Sequence, residues 1–177
     1  MRADRRGLLD ALAHAPTGGR GTWRPWRPPR ARVVTAGLAE EELSPARALR
    51  ALDRALAALG GEEQGSATLA RLFAPDDVVG IKLNCLGGPH LSPRPMLVES
   101  LVELLVRAGV PARRVILFER SRRELTAAGF PPGEMASGAG VRAIGNDYER
   151  RPTETGRIGS CFARLVTTTC TALISFG

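Results

Sequence analysis

The chain has 177 residues, 44% of them hydrophobic and 24% charged, with a formal net charge of +7. That length and apolar fraction predict one soluble globular domain with a real core, and they exclude a disordered or low-complexity chain. No apolar run approaches the ~20 residues a spanning helix requires, so no transmembrane helix is predicted.

Residues 1–31 read as a flexible Pro/Gly/Arg-rich leader that begins with a short helix. The stretch Arg20 to Arg32 carries Pro25, Pro28 and Pro29, with Trp23 and Trp26 between its arginines. Such a mixture can stack on bases, but the remaining arginines scatter along what look like outer helix faces, so nucleic acid is not expected as a partner. Asp4-Arg5-Arg6-Gly7-Leu8-Leu9 holds the twin arginine of an export signal, yet His14, Pro16 and Gly18 interrupt the apolar segment that must follow. Cytoplasmic location is the expectation, with twin-arginine export as the alternative.

From residue 32 to residue 177 strand and helix patterns alternate, the signature of a single α/β domain. Arg32–Ala36 is predicted as a first strand. Ser44 is an N-cap with Pro45 at the first helical position, and Leu49, Leu52, Leu56 and Leu59 form the apolar stripe of the helix that Gly60-Gly61 closes. A short helical piece, Ser66–Phe73, leads through Pro75-Asp76-Asp77 into a strand at Val78–Asn84. A Gly/Pro-rich loop precedes the strongest helix, which starts between Ser92 and Pro95 and runs to Ala108. Arg114–Phe118 is the next strand. Ser121 and Glu124 make a capping box for a short helix ending at Gly129. Val141–Ile144 is a further strand, and Ala163–Ile174, rich in Thr and Val, reads as the last. The predicted fold is a mostly parallel sheet flanked by helices, Rossmann-like and three-layered, left incomplete where the chain stops.

Lys82 is the only lysine among 25 basic residues, and it interrupts an otherwise apolar strand. A buried ammonium must be paired, reach a solvent-open strand end, or lose its proton. Strands joined by helices are parallel, and open α/β sheets bind ligands where the carboxyl ends of such strands converge. Lys82, Asn84 and Cys85 end one strand and open the loop bearing His90 and Ser92; Glu119 and Arg120 end the next; Asn146 and Asp147 follow a third. Lys82 and Glu119 are the candidate catalytic pair, Lys82 as clamp or proton donor, with a salt bridge between neighbouring strands as the plain alternative. Asn84, Cys85, His90, Ser92, Arg120, Asn146 and Asp147 are the candidate ligand-binding residues. Asn84 can equally serve the loop backbone, Cys85 can be a small apolar filler, and a lone loop histidine is usually a surface residue.

No cofactor is identified. Cys85, Cys161 and Cys170 form neither a C-x-x-C pair nor an even set, so no disulfide framework, zinc site or iron–sulfur cluster is expected from this chain alone, and no metal ligand is assigned. Gly87-Gly88 lacks the spacing of a phosphate loop or a dinucleotide fingerprint.

Asp76-Asp77-Val78-Val79-Gly80-Ile81-Lys82-Leu83-Asn84-Cys85, a glycine loop, Ser92, Pro95 and a Leu/Val-rich helix closing at Ala108-Gly109-Val110 resemble the domain-of-unknown-function 362 family. Val115-Ile116-Leu117-Phe118-Glu119-Arg120, Arg123-Glu124-Leu125, Ala128-Gly129-Phe130 and Cys170-Thr171-Ala172-Leu173-Ile174 fit the same pattern. The resemblance spans Arg32 to Ile174 and is specific over residues 76–130. It places the lysine–asparagine pair of the family on Lys82 and Asn84 and its acidic strand end on Glu119, where members commonly carry Asp. Some relatives bear ferredoxin-type clusters and some use twin-arginine export; this chain has no such cluster. The family pattern continues where this chain ends, so the resemblance implies a C-terminally truncated member matching the N-terminal part of the family domain. The expected function is small-molecule binding around Lys82, Asn84 and Glu119, as an enzyme of unstated reaction, a non-catalytic binding or accessory module, or an inactive fragment. An exposed edge on the final strand favours self-association.

Overall fold

The computed structural model of the chain describes residues 32–37, 44–156 and 158–177. The leader of residues 1–31, with its tryptophans and twin arginine, lies outside the described residues.

Among the described residues four α-helices and seven strands follow in chain order: α1 (Pro45–Gly60), α2 (Gly65–Leu72), β1 (Val79–Leu83), α3 (Pro95–Arg107), β2 (Val115–Glu119), α4 (Arg122–Ala127), β3 (Gly133–Glu134), β4 (Gly140–Ala143), β5 (Thr153–Thr155), β6 (Ile158–Ser160) and β7 (Ala172–Phe176). The main sheet has five strands in the order β3-β4-β2-β1-β7. β4, β2, β1 and β7 run parallel and only β3 is antiparallel, so the protein is α/β with a mixed, mostly parallel sheet. β5 and β6 make a separate exposed hairpin.

Local signals place the helices. Ser44 accepts from the Arg47 N–H, Pro45 stands at the helix start, and Gly61 at φ +70° ends α1, the left-handed position that glycine takes without steric cost. Ser121 accepts from the Glu124 N–H, so half of the predicted capping box forms. All four helices bury their apolar residues in one cluster with Val79, Ile81 and Leu83 of β1, Val115 and Leu117 of β2, and Val141 of β4. These strand residues alternate along the chain and so share one face of the sheet. Leu59 falls outside the cluster and stays 38% exposed, which narrows the predicted α1 stripe to Leu49, Leu52 and Leu56.

The opposite face presents Ile116 and Phe118, buried with Leu165, Cys170 and partly buried Val78, Ile144 and Val166. Among the described residues the cover on this face is the wide π-type turn Leu165–Thr169. Gly80 lies beneath it because nothing larger fits. A Cβ there would stand 2.7 Å from Cys170 Sγ, 2.9 Å from Leu173 Cδ2 and 3.1 Å from Phe118 Cε1. Gly80→Ala is therefore expected to lower the unfolding free energy by about 1–2 kcal/mol through overpacking, read as a lower urea midpoint. An unchanged midpoint would mean that the turn yields freely.

Two predicted strands differ. Residues 32–37 have no secondary structure, and Val33 is 83% exposed. A short β-branched run forms a strand only where a neighbour offers a ladder, and this one instead sends Arg32 Nη1 to the Leu59 carbonyl. The predicted strand Ala163–Ile174 splits in two. Thr167 and Thr168 turn their hydroxyls onto the Arg164 carbonyl, at 3.3 and 2.7 Å. Such side-chain bonds offer the backbone an alternative to the ladder, and only Ala172–Phe176 remains extended. Thr171 then ties the strand starts together: its hydroxyl accepts from the Val78 N–H and donates to Asp77, while the other Asp77 oxygen accepts from the Ala74 N–H.

Candidate functional site

Because β1 and β2 are parallel neighbours with Lys82 opposite Phe118, strand alternation puts Lys82 and Glu119 on opposite faces of the sheet. They meet all the same. Lys82 stands next to the strand end, and its four-carbon stem bends over the carboxyl edge. Its Nζ donates to the backbone oxygen of Leu83 and to Oε2 of Glu119, each at 2.5 Å. The other carboxylate oxygen, Oε1, accepts from the Arg120 N–H. The Glu119 side chain is only 9% exposed, whereas that of Lys82 is 44% exposed. A buried carboxylate thus pairs with the ammonium of a half-exposed lysine at the strand ends, which is how an otherwise apolar strand tolerates its lysine.

Cys85 and Ser92 complete this corner. Cys85 is fully buried in the helix-side cluster. The Ser92 hydroxyl donates to the Gly88 carbonyl at 2.6 Å, and Gly88 adopts φ +70° to turn the loop back. Burial pushes the Cys85 thiol up and the Glu119 carboxylate pushes it further, with a smaller push from Glu124; the Lys82 ammonium and a hydrogen bond with Ser92 act the other way. The upward causes win, so Cys85 is a protonated filler at neutral pH rather than a thiolate nucleophile. None of the three cysteines is in a disulfide, and Cys161 is the one only half-buried. Iodoacetamide at neutral pH is expected to label Cys161 first, with Cys85 and Cys170 following at the rate of unfolding. Mass mapping that finds Cys85 labelled as fast as Cys161 would contradict the burial.

The remaining candidates do not join the pair. Asn84 is exposed and its N–H donates to the Phe176 carbonyl at 3.3 Å, which makes it a backbone link between β1 and β7. His90 is exposed within the loop turn that Leu91 closes onto Gly88. The Arg120 side chain is exposed, and its carbonyl accepts from the Gly145 N–H. Asn146 and Asp147 lie beyond the end of β4, both exposed, and the Asp147 carboxylate faces Arg164 Nε at 3.8 Å. The three strand ends share one edge, with the Ile144 N–H donating to the Glu119 carbonyl; on it Lys82, Glu119, Cys85 and Ser92 form one corner, while Asp147 pairs with Arg164 in a different groove.

That groove was not legible in the sequence. It is a polar cavity of about 330 Å³ beside the end of β4, walled by Arg142, Ile144, Asp147, Arg164, Thr168 and Thr169. Reading Ala163–Ile174 as one strand hid it, because the turn supplies one wall. Another cavity, about 600 Å³ and mostly apolar, lies between α1 and α3 and includes Leu49, Met96, Ser100 and Val106. Lys82 and Glu119 line neither. Among the described residues no three His, Cys, Asp or Glu side chains cluster to hold a metal ion, and no helix is long and apolar enough to cross a membrane.

No family model, no curated protein and no solved structure matches the chain.

Proposed function

We propose that the protein binds a small molecule at the carboxyl edge of β1 and β2, with Lys82 as the group the ligand meets, Glu119 as its anchor, and the exposed Asn84 at the end of β1 within the same edge though not in contact with the pair. The observation that carries this reading is the asymmetry of the pair: the Glu119 side chain is buried and the Lys82 side chain is half-exposed. An ammonium has three donors, and Leu83 and Glu119 use two. The third remains for an anionic or carbonyl oxygen of a ligand, which Lys82 can clamp or protonate. Parallel α/β sheets bind their ligands on this edge. On this reading the chain is a divergent member of the domain-of-unknown-function 362 family, supported by residues 76–130 alone, and a Rossmann-like three-layer arrangement requires a second helical layer over the Phe118 face, which among the described residues carries the Leu165–Thr169 turn.

A second reading has its own support. The two bonds that Lys82 already makes suit a structural tie between strand ends in a module without catalysis. Native mass spectrometry of the purified protein, wild type against Lys82→Met/Glu119→Gln, separates the two. The first reading expects a non-covalent small-molecule adduct on the wild type and its loss from a folded double variant. A bare wild-type mass, or an adduct carried equally by both, overturns it.

A further inference from the structure

We propose that the groove between β4 and the Leu165–Thr169 turn is an anion site that takes the phosphate group of a small phosphate monoester. It shares no residue with the Lys82–Glu119 corner, so the two assignments stand or fall separately.

Sheet register supplies the first wall. Phe118 is opposite Lys82 on one side and Arg142 on the other, so Lys82, Phe118 and Arg142 form one row on the face away from the helices. Phe118 is buried in the middle of that row and Arg142 is exposed at its end. The turn supplies the second wall: Arg164 immediately precedes it, and Thr168 and Thr169 complete it. Two arginines, Arg142 and Arg164, therefore line one cavity of about 330 Å³. Guanidinium is the side-chain group best shaped to hold phosphate oxygens.

Hydrogen-bond accounting narrows the donors. Thr168 already donates to the Arg164 carbonyl at 2.7 Å, so the proton in its 3.5 Å contact with Thr169 comes from the Thr169 hydroxyl, a long bond that a phosphate oxygen can displace to gain that donor. Ile144 and Leu165 form apolar parts of the wall, suited to a short carbon skeleton attached to the phosphate. The π-type turn is itself informative, because such turns are rare and often occur at functional sites.

Asp147 is the opposing charge. Its carboxylate lies 3.8 Å from Arg164 Nε, with the two side chains 67% and 56% exposed. Exposed pairs of this kind contribute little, so a phosphate dianion can take the arginine from it. Asp147 lines the same groove as Arg164, so its carboxylate repels a bound phosphate.

Isothermal titration calorimetry with glycerol 3-phosphate, against glycerol at matched ionic strength, tests the assignment. The expected result is saturable binding of glycerol 3-phosphate alone. Arg142→Gln and Arg164→Gln are each expected to weaken it at least tenfold, and Asp147→Asn to tighten it several-fold. Arg164→Gln and Asp147→Asn remove the same ion pair, so a role confined to that pair would move affinity in the same direction in both. Opposite directions are the signature of an anion site. Absence of saturable binding above the salt control, or full affinity in the Arg142→Gln protein, overturns the proposal.

Discussion

Lys82→Ala is expected to lower the unfolding free energy by about 2–3 kcal/mol. Glu119 is buried to 9% side-chain exposure and has two partners, the Lys82 ammonium and the Arg120 N–H. Without the ammonium, a nearly dry carboxylate keeps one backbone donor. Removing one partner of a fully buried pair costs roughly 3–5 kcal/mol, mostly from the charge left behind. The 44% exposure of Lys82 lets water replace part of what is lost, which brings the figure to the lower end. Glu119→Gln is milder, about 1 kcal/mol: the amide keeps an acceptor for the Arg120 N–H, and the freed ammonium is already half in water. Lys82→Arg is not expected to restore the wild type, since a planar guanidinium cannot bend over the strand end to reach both Leu83 and Glu119. In Lys82→Met/Glu119→Gln no charge is left unpaired, and stability is expected to recover most of the Lys82→Ala loss. Urea titrations of the set give the coupling energy directly. A Lys82→Ala loss below about 0.5 kcal/mol would show the pair to be no more than a surface contact.

Parts of this arrangement were readable from residues alone because their causes are local. Ser44-Pro45, Gly61, Ser121 and the alternation through Val79, Ile81 and Leu83 act within a few positions, and the helices and strands they mark are present. The pairing of Lys82 with Glu119 was also readable as the plain alternative, since one lysine in an apolar strand needs a carboxylate at the same edge. What failed depends on neighbours distant in sequence. Residues 32–36 have strand-like composition but no ladder to join. Residues 163–174 are rich in Thr and Val, yet two threonine hydroxyls in the middle, those of Thr167 and Thr168, bond the Arg164 carbonyl and the segment folds back. Asn146 and Asp147 follow the carboxyl end of β4, as sequence order predicts, but the pairing of Asp147 with Arg164 depends on a segment distant in sequence. A site built by a turn lying across a sheet has no period and no motif, and only the register shows that Arg142 and Lys82 share a row.

Phe118→Ala is expected to have the larger effect, about 3–4 kcal/mol, and to reach the proposed phosphate groove. Phe118 is 5% exposed and is the largest side chain in the cluster on the sheet face away from the helices. Truncating a buried phenylalanine costs roughly 3–5 kcal/mol, from lost transfer energy and the cavity left behind. The satellite cluster is small, with Ile116, Leu165 and Cys170 as its other buried members, so partial collapse of the turn holds the figure below the top of that range. That collapse has a specific consequence. The Leu165–Thr169 turn rests on Phe118 and carries Thr169 of the proposed phosphate groove, so glycerol 3-phosphate affinity is expected to fall with stability even though Phe118 touches no phosphate oxygen. Phe118→Leu keeps most of the volume and is expected to cost about 1 kcal/mol with affinity retained. Amide exchange adds a local readout: protection is expected to drop at Cys170, whose N–H donates to the Leu165 carbonyl across the turn, before it drops in α3. If Phe118→Ala unfolds at the wild-type urea midpoint, or exchange quickens in α3 and the turn alike, the turn is not held by this ring and the groove has no fixed wall.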